Sequence, residues 1–319
     1  MRAVVLVGGQ GTRLRPLTLT APKQMLPVGG RPMIERVLAH LRSHGIDEVV
    51  LSLGYKPDAF TAAYPDGACA GVRLAYAVED SPLDTAGAIA FAARQAGIGE
   101  AFVVVNGDVL TGLDLGGLID AHRRAGAEAT IALTPVPDPS AFGVVPTDDD
   151  GRVQAFIEKP APGEAPTNLI NAGTYVLEWD VLERIPSGRR VSIERETFPG
   201  LVAGGTLYAF GSDAPWRDAG TPATYLAANL DLAQPDVGSV SHSWVDPKAT
   251  VAEGAVVRDS VLFPGATVEA GATVTSSIIG WDALVGAGAR VEDLSVLGSG
   301  ASVPAGAVLS GHRSPADVT

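Results

Sequence analysis

Ala3-Val4-Val5-Leu6-Val7-Gly8-Gly9-Gln10-Gly11-Thr12-Arg13-Leu14-Arg15-Pro16-Leu17 opens the chain with an unbroken apolar run that stops at paired glycines. Such a run, β-branched at its centre, suits a strand buried on both faces, as in a parallel sheet. Glycines directly after a strand let backbone N–H groups approach an anion closely. Arg13 and Arg15 add fixed positive charge with fork geometry for phosphate oxygens. Two standard phosphate motifs are excluded. A dinucleotide fingerprint requires a third Gly or Ala where Leu14 stands. A P-loop requires Gly-Lys followed by Ser or Thr, which the chain lacks.

Outward from that stretch, strand-like and helix-like segments alternate. Met33–His44 carries apolar residues at a helical period, and Gly45 fits its C′ position. Val49–Leu53 reads as a second strand, Thr85–Ala96 as a helix and Ala101–Val105 as a third strand. Leu115–Arg124 then reads as a helix and Ala129–Pro135 as another strand. This alternation predicts an α/β fold, Rossmann-like, with a mostly parallel sheet and helices on both faces.

From about Val240 the texture changes. Apolar residues recur every six positions or so: Val245, Val251, Val257; Leu262, Val268, Val274; Ile279, Val285, Val291; Leu297, Val303, Leu309. Three hexads make one coil of a left-handed parallel β-helix. Equivalent rung residues are then Val251, Val268, Val285 and Val303. Stacked coils bury one continuous core, and their open ends favour a homo-oligomer through this domain. The boundary falls near Gln234-Pro235-Asp236, after a helix around Ala223–Ala233. The expected domains are 1–235, catalytic, and 236–319, the β-helix.

The 319 residues carry a net charge of -13. That excludes a basic nucleic-acid surface and a polybasic membrane patch. Cys69 is the single cysteine, so no intrachain disulfide forms, and no Cys/His cluster has zinc spacing. The first apolar run is too short for a signal peptide and no stretch reaches membrane-span length, so the cytoplasm is the default compartment. His40, His44 and His122 lie on helix-like stretches and are read as surface residues.

Pro22-Lys23-Gln24-Met25-Leu26-Pro27 follows the glycine loop within a dozen residues. Farther on come Asn106-Gly107-Asp108, Phe142-Gly143-Val144-Val145 and Phe156-Ile157-Glu158-Lys159-Pro160. Asn171-Ala172-Gly173-Thr174-Tyr175, Ser192-Ile193-Glu194 and Trp216-Arg217-Asp218-Ala219-Gly220-Thr221 complete the series. In this order, with the hexapeptide tail, they resemble the sugar-1-phosphate nucleotidyltransferase family, and most nearly its mannose-1-phosphate guanylyltransferase branch.

The resemblance implies a role for each segment. Gly8, Gly9, Gly11 and Thr12 would cradle the nucleotide. Arg13 and Lys23 would neutralise the triphosphate and act catalytically. Asp108 ends a strand, where open α/β sheets bind ligands; facing phosphates without a metal it would repel them, so it suits Mg²⁺, with Asp218 as the second carboxylate. Lys159 would hold the sugar phosphate, Glu158 and Asn171 the sugar hydroxyls, and Gly143 would let the backbone approach the sugar. Ser192 reads as a helix N-cap. A sugar phosphate oxygen, already ionised, would then attack the α-phosphorus with pyrophosphate leaving, so that catalysis would be positioning and charge neutralisation.

Glu79-Asp80-Ser81-Pro82-Leu83-Asp84-Thr85-Ala86-Gly87 corresponds to the family's base loop. Asp84, Thr85 and Gly87 are placed on the nucleotide, and a carboxylate among Glu79, Asp80 and Asp84 would accept the guanine N–H donors. Guanylyltransferases usually carry Gly where Asp84 stands, whereas Gln24 looks more like thymidylyl-transferring relatives, whose glutamine contacts the base. GTP and mannose 1-phosphate are the favoured pair. Alternatives are dTTP, UTP or ATP as donor, a heptose or cyclitol phosphate as acceptor, or a non-catalytic regulatory homologue. An acyl-transferring β-helix would carry a histidine within its coils, and here only His242 and His312 flank them.

Overall fold

The strand β1, Ala3–Leu6, has Ala3, Val4 and Val5 wholly buried, as its unbroken apolar run requires. A computed structural model of the chain describes residues 1–315 and divides into two compact units. One holds Met1–Gly8 and Glu35–Trp216; the other holds Gly9–Ile34 and Arg217 onward.

In the first unit β1 pairs in parallel with β2 (Glu48–Leu53) on one side. Beyond β2 comes β3 (Val72–Val78), also parallel. On the other side of β1 lies β4 (Phe102–Asn106), again parallel. The chain therefore runs outward from β1 and then crosses back, which makes the ends of β1 and β4 a topological switch point. The sheet becomes mixed past β4. There β6 (Leu169–Leu177) lies antiparallel to both β4 and β5 (Ala129–Pro135), while β7 (Leu207–Gly211) is parallel to β5. The expected mostly parallel sheet is thus parallel only through its centre and beyond β5. β6 and β7 were not among the expected strands, nor was β3. Its signal is the alternation of Val72, Leu74 and Tyr76 with more exposed Arg73 and Ala75.

Helix α1 (Met33–Ser43) ends as its Gly45 predicts. Gly45 takes φ +77; its N–H donates to the Arg42 carbonyl at 3.0 Å, and the Ile46 N–H reaches Leu41 at 3.1 Å. This is a Schellman closure. Helix α2 (Asp84–Gln95) closes in the same way at Gly97. Helix α3 (Leu115–Ala125) is capped by Asp114, whose carboxylate accepts the Gly117 N–H. His122 on α3 corrects the surface expectation. It is 1% exposed, with Nδ1 2.9 Å from Thr130 Oγ1 and Nε2 3.2 Å from Glu178 Oε1. Polar partners on β5 and just beyond β6 let the imidazole lie under the helix without an unmet nitrogen.

The second unit contains three parallel sheets of very short strands. Val251, Val268, Val285 and Val303 stack in register, as do Val245, Leu262, Ile279 and Leu297. A third column runs Val257, Val274, Val291 and Leu309. These columns form the apolar core of a parallel β-helix. Buried serines tie one corner: the Ser260 N–H donates to Ser243 Oγ, and the Ser277 N–H to Ser260 Oγ, each at 3.1 Å. The longer last coil takes up its extra residue between Val291 and Leu297. There Asp293 and Leu294 both have positive φ, whereas the corner above has only Ser276 so placed. Helix α4 (Pro222–Leu230) begins at a Thr221–Thr224 capping box. Among the described residues no helix is long and apolar enough to cross a membrane.

Candidate active site

At the switch point of the first unit, Gly107 is buried where β4 meets β1. A Cβ there would stand 2.6 Å from Val7 Cγ1 and 2.9 Å from the Leu6 carbonyl oxygen. The Gly107 N–H donates to that carbonyl at 2.9 Å. Glycine thus lets β4 turn tightly over β1 and present the half-buried Asp108 at the sheet's carboxyl edge. Gly8 follows β1 beside Gly54 and Glu79; a Cβ on Gly8 would lie 3.7 Å from Glu79 Oε1.

Glu79 belongs to the stretch read as the base loop. Ser52 Oγ donates to Oε1 at 3.2 Å and the Leu83 N–H to Oε2 at 3.0 Å. Burial raises its pKa, and these two bonds work against the rise. Asp84 stands at φ +61, the left-handed region that favours glycine, which accounts for the glycine usual at this position. Asp tolerates it by accepting the Thr85 N–H at 2.9 Å, with Arg190 4.0 Å away. The Thr85 hydroxyl donates to Glu194 Oε2 and accepts from the Ile193 N–H, each at 2.8 Å. Gly87 packs on the Arg189 carbonyl and donates to Val191. Ser192 is the expected N-cap, accepting from the Arg195 N–H. A cleft of about 510 Å³ borders this loop, lined by Glu79, Asp80, Leu83, Gly87, Arg94 and Arg189 among others.

The segments read as sugar-binding also gather in this unit. Gly143 pairs with Glu158 across short strands, and the space of its missing side chain is taken by the Phe156 ring, with Glu158 Oε2 close by. Packing alone thus requires glycine there. Lys159 takes φ +49, anchored by its N–H on the Phe142 carbonyl, with Nζ 3.5 Å from Glu158 Oε1. A lysine held left-handed costs about 1 kcal/mol or more, a cost that clusters at ligand clamps. Asn171 Nδ2 donates to the Tyr175 hydroxyl and Oδ1 accepts the Gly173 N–H, each at 2.9 Å. Beyond these two bonds Asn171 has one further amide N–H and one further lone pair. Gly173 has φ +73, and a Cβ would stand 2.7 Å from Asn106 Nδ2, so β6 and the end of β4 touch through it. Trp216 closes this side, donating from Nε1 to the Ala172 carbonyl and meeting Phe142 edge-on.

Tyr175 reports the local field. Burial raises the pKa of its hydroxyl most, and the Glu194 carboxylate raises it further. The Asn171 hydrogen bond opposes this, while Glu158 and Asp108 add smaller upward pushes. Three carboxylates therefore act on one buried hydroxyl, a field that favours cations. Among the described residues no group of three or more His, Cys, Asp or Glu is placed to hold a metal ion.

The second unit carries the glycine loop's cations. Gly11 takes φ +61 and its carbonyl accepts from Thr18 Oγ1 at 2.9 Å. A Cβ on it would meet Thr18 at 2.9 Å and Lys23 Cβ at 3.2 Å. The buried Gly220 lies under both Arg13 and Asp218: a Cβ there would be 2.6 Å from Arg13 Nη2 and 2.7 Å from Asp218 Oδ1. Gly9 and Thr12 are exposed on this loop. Gln24 is 1% exposed, and its Oε1 meets no hydrogen-bond donor among the described residues.

A family model described as nucleotidyl transferase matches residues 2–235, and one described as the GMPPB C-terminal domain matches residues 236–314. The mannose-1-phosphate guanylyltransferase of Mycobacterium tuberculosis is 45% identical over 262 residues, covering 82% of this chain and 72% of that protein. The mannose-1-phosphate guanyltransferase of Aspergillus fumigatus is 40% identical over 232 residues, 71% of this chain and 62% of that protein. The solved structure of HddC from Yersinia pseudotuberculosis complexed with GMP-PN is similar at 30% identity and a TM-score of 0.63. It covers 72% of this chain and 98% of that one.

Proposed function

Because the chain belongs to the nucleotidyl transferase family, we propose that it transfers a guanylyl group from GTP to mannose 1-phosphate, giving GDP-mannose and pyrophosphate. The observation that carries this is the 45% identity to a mannose-1-phosphate guanylyltransferase over most of both chains. The HddC structure complexed with GMP-PN supports a guanine nucleotide. Glu79, held beside Gly8, supports it too, since a carboxylate accepts both N–H donors of the guanine edge. Gly8, Gly9, Gly11 and Thr12 line the triphosphate, Arg13 and Lys23 neutralise it, and Asp84, Thr85, Gly87 and Gln24 shape the nucleotide site. Gly143, Glu158, Lys159 and Asn171 receive the sugar phosphate. The nucleophile is a phosphate oxygen, ionised at neutral pH, so no general base is invoked.

Mg²⁺ is the proposed metal, with Asp108 and Asp218 as its protein ligands. The donor set fits: this ion takes hard oxygens, often one or two carboxylates with phosphates and waters completing its shell. Bound there, it would neutralise charge on the phosphates. The proposed domains are 1–235 for catalysis and 236–319 for the β-helix, whose last four residues lie outside those described. We also propose a cytoplasmic homo-oligomer joined through the β-helix. Val308, 60% exposed near the open end of the helix, supports such a contact.

Lys159→Ala tests the acceptor side. KM for mannose 1-phosphate is expected to rise about tenfold or more, as for loss of a charge-assisted phosphate contact, with KM for GTP little changed. Steady-state kinetics with each substrate varied checks this. Equal rises in both KM values contradict the placement of Lys159 on the sugar phosphate.

A further inference from the structure

A parallel β-helix presents three flat faces, and in this one the outward residues differ sharply between faces. On the first, the outward row Val256, Thr273, Arg290, Val308 is largely exposed. On the second, Thr250, Thr267, Leu284 and Ser302 are exposed or half-exposed. On the third, Val261, Ile278 and Val296 are at most 1% exposed. Yet they lie outside the coil's own core, which takes the neighbouring Leu262, Ile279 and Leu297. A single face is therefore covered, and the second unit shows by what. Helix α4 packs on the strand Val261–Leu262, and the loop of residues 9–34 meets the turns along the same side.

The contacts to that loop are specific. The Pro16 ring lies against Gly298, where a Cβ would be 3.0 Å from Pro16 Cβ. Thr20 Oγ1 is 3.0 Å from Ser299 Oγ. The loop's hairpin, Pro27–Val28 with Arg31–Pro32, turns through Gly29 and Gly30, both at positive φ. The Trp244 ring fills the space above Gly30, 2.8 Å from where its Cβ would stand. The Gly29 N–H donates to Asn229 Oδ1 at 3.0 Å, and the Tyr225 hydroxyl donates to the Pro27 carbonyl. Tyr225 in turn meets Phe263, which stacks edge-on with Trp281.

We infer that this β-helix face is a positioning element for the triphosphate loop, with Gly298, Ser299 and Trp244 holding Pro16, Thr20 and Gly30 so that Arg13 and Lys23 stay in place. The inference rests on the proposed role of that loop. Loop segments with few internal contacts open easily unless packed from outside. Between Gly9 and Leu26 the loop's regular structure is limited to single 3-10 turns, so packing from outside contributes to its order. None of these three residues is proposed to touch substrate.

Two variants on the covered face and one control test it in the full chain. Gly298→Val drives a branched side chain into Pro16, and Trp244→Ala removes the ring over Gly30. Each is expected to speed amide exchange of residues 9–34 in substrate-free protein. Each is also expected to raise KM for GTP about tenfold, with KM for mannose 1-phosphate within about twofold, as a small misplacement of positioning groups would. Trp244→Phe restores most of the loss, and Thr250→Ala on an exposed face changes neither readout. Folded variants with wild-type exchange in 9–34 overturn the inference, as do equal rises in both KM values. Should Gly298→Val fail to fold, the Trp244 pair decides alone. Absence of turnover in the wild-type protein would instead reject the proposed reaction, while the exchange measurement still decides the buttress.

Discussion

Asp108→Asn is expected to lower kcat/KM by about 10³-fold without loss of fold, because it deletes one charge of the proposed metal site, where electrostatic stabilisation would be concentrated. The substitution keeps shape and hydrogen-bonding capacity, so it separates charge from packing. Asp108 follows Gly107, whose absent side chain lets β4 fold over Val7 and Leu6 at the switch point. Gly107's missing side chain, rather than the carboxylate, shapes that crossing. What does depend on it is the approach of a polyanion: an aspartate facing phosphates is unfavourable unless a cation stands between them. The variant is therefore expected to melt as the parent does and to bind GTP with little magnesium dependence. Kinetics with a Mg²⁺ titration check this, and activity within about tenfold of the parent would remove Asp108 from the metal site.

Gly220→Ala is expected to lower kcat by about 10²-fold, the scale of a misplacement near 1 Å in catalytic groups. The added methyl displaces the ends of two side chains. It would stand 2.6 Å from Arg13 Nη2 and 2.7 Å from Asp218 Oδ1, both closer than any real Cβ contact, so the guanidinium and the carboxylate must shift together. Gly220 is buried and has no positive φ, so backbone strain contributes little to the effect. Gly200→Ala, with open space around its Cβ position, is the matched control and leaves kcat unchanged. Should Gly220→Ala retain parental kcat, Arg13 and Asp218 would not be acting from where they stand.

The strands and coils that the sequence made plain are those whose burial is uniform. β1 and β4 are buried on both sides and read as solid apolar runs, and every rung column of the β-helix repeats an apolar residue from coil to coil. β3 was obscured because Ala75 and Ala77 blur its alternation in a strand only partly covered. The antiparallel course of β6 had no sequence signature. Its long run reads as a strand in either direction, and only pairing with β4 and β5 sets its sense. His122 shows that a polar residue on a helix can be an interior one when Thr130 and Glu178 meet both nitrogens.

The candidate site was legible as segments and not as contacts. Asp84 stood out as a departure from glycine, but its φ of +61 explains why glycine is usual and why aspartate serves. The commitment of the Thr85 hydroxyl to Glu194 and Ile193 required two distant stretches to meet, and the carboxylates acting on Tyr175 come from three. Gly143 was expected to admit the sugar; packing against Phe156 already requires it.

The most direct test is to incubate the full chain with GTP, mannose 1-phosphate and Mg²⁺, following pyrophosphate and sugar nucleotide together, alongside other triphosphates and sugar 1-phosphates. One GDP-mannose per pyrophosphate, fastest for this pair, is the expected result. Pyrophosphate formed with no sugar nucleotide, or no turnover with any pair, would contradict it.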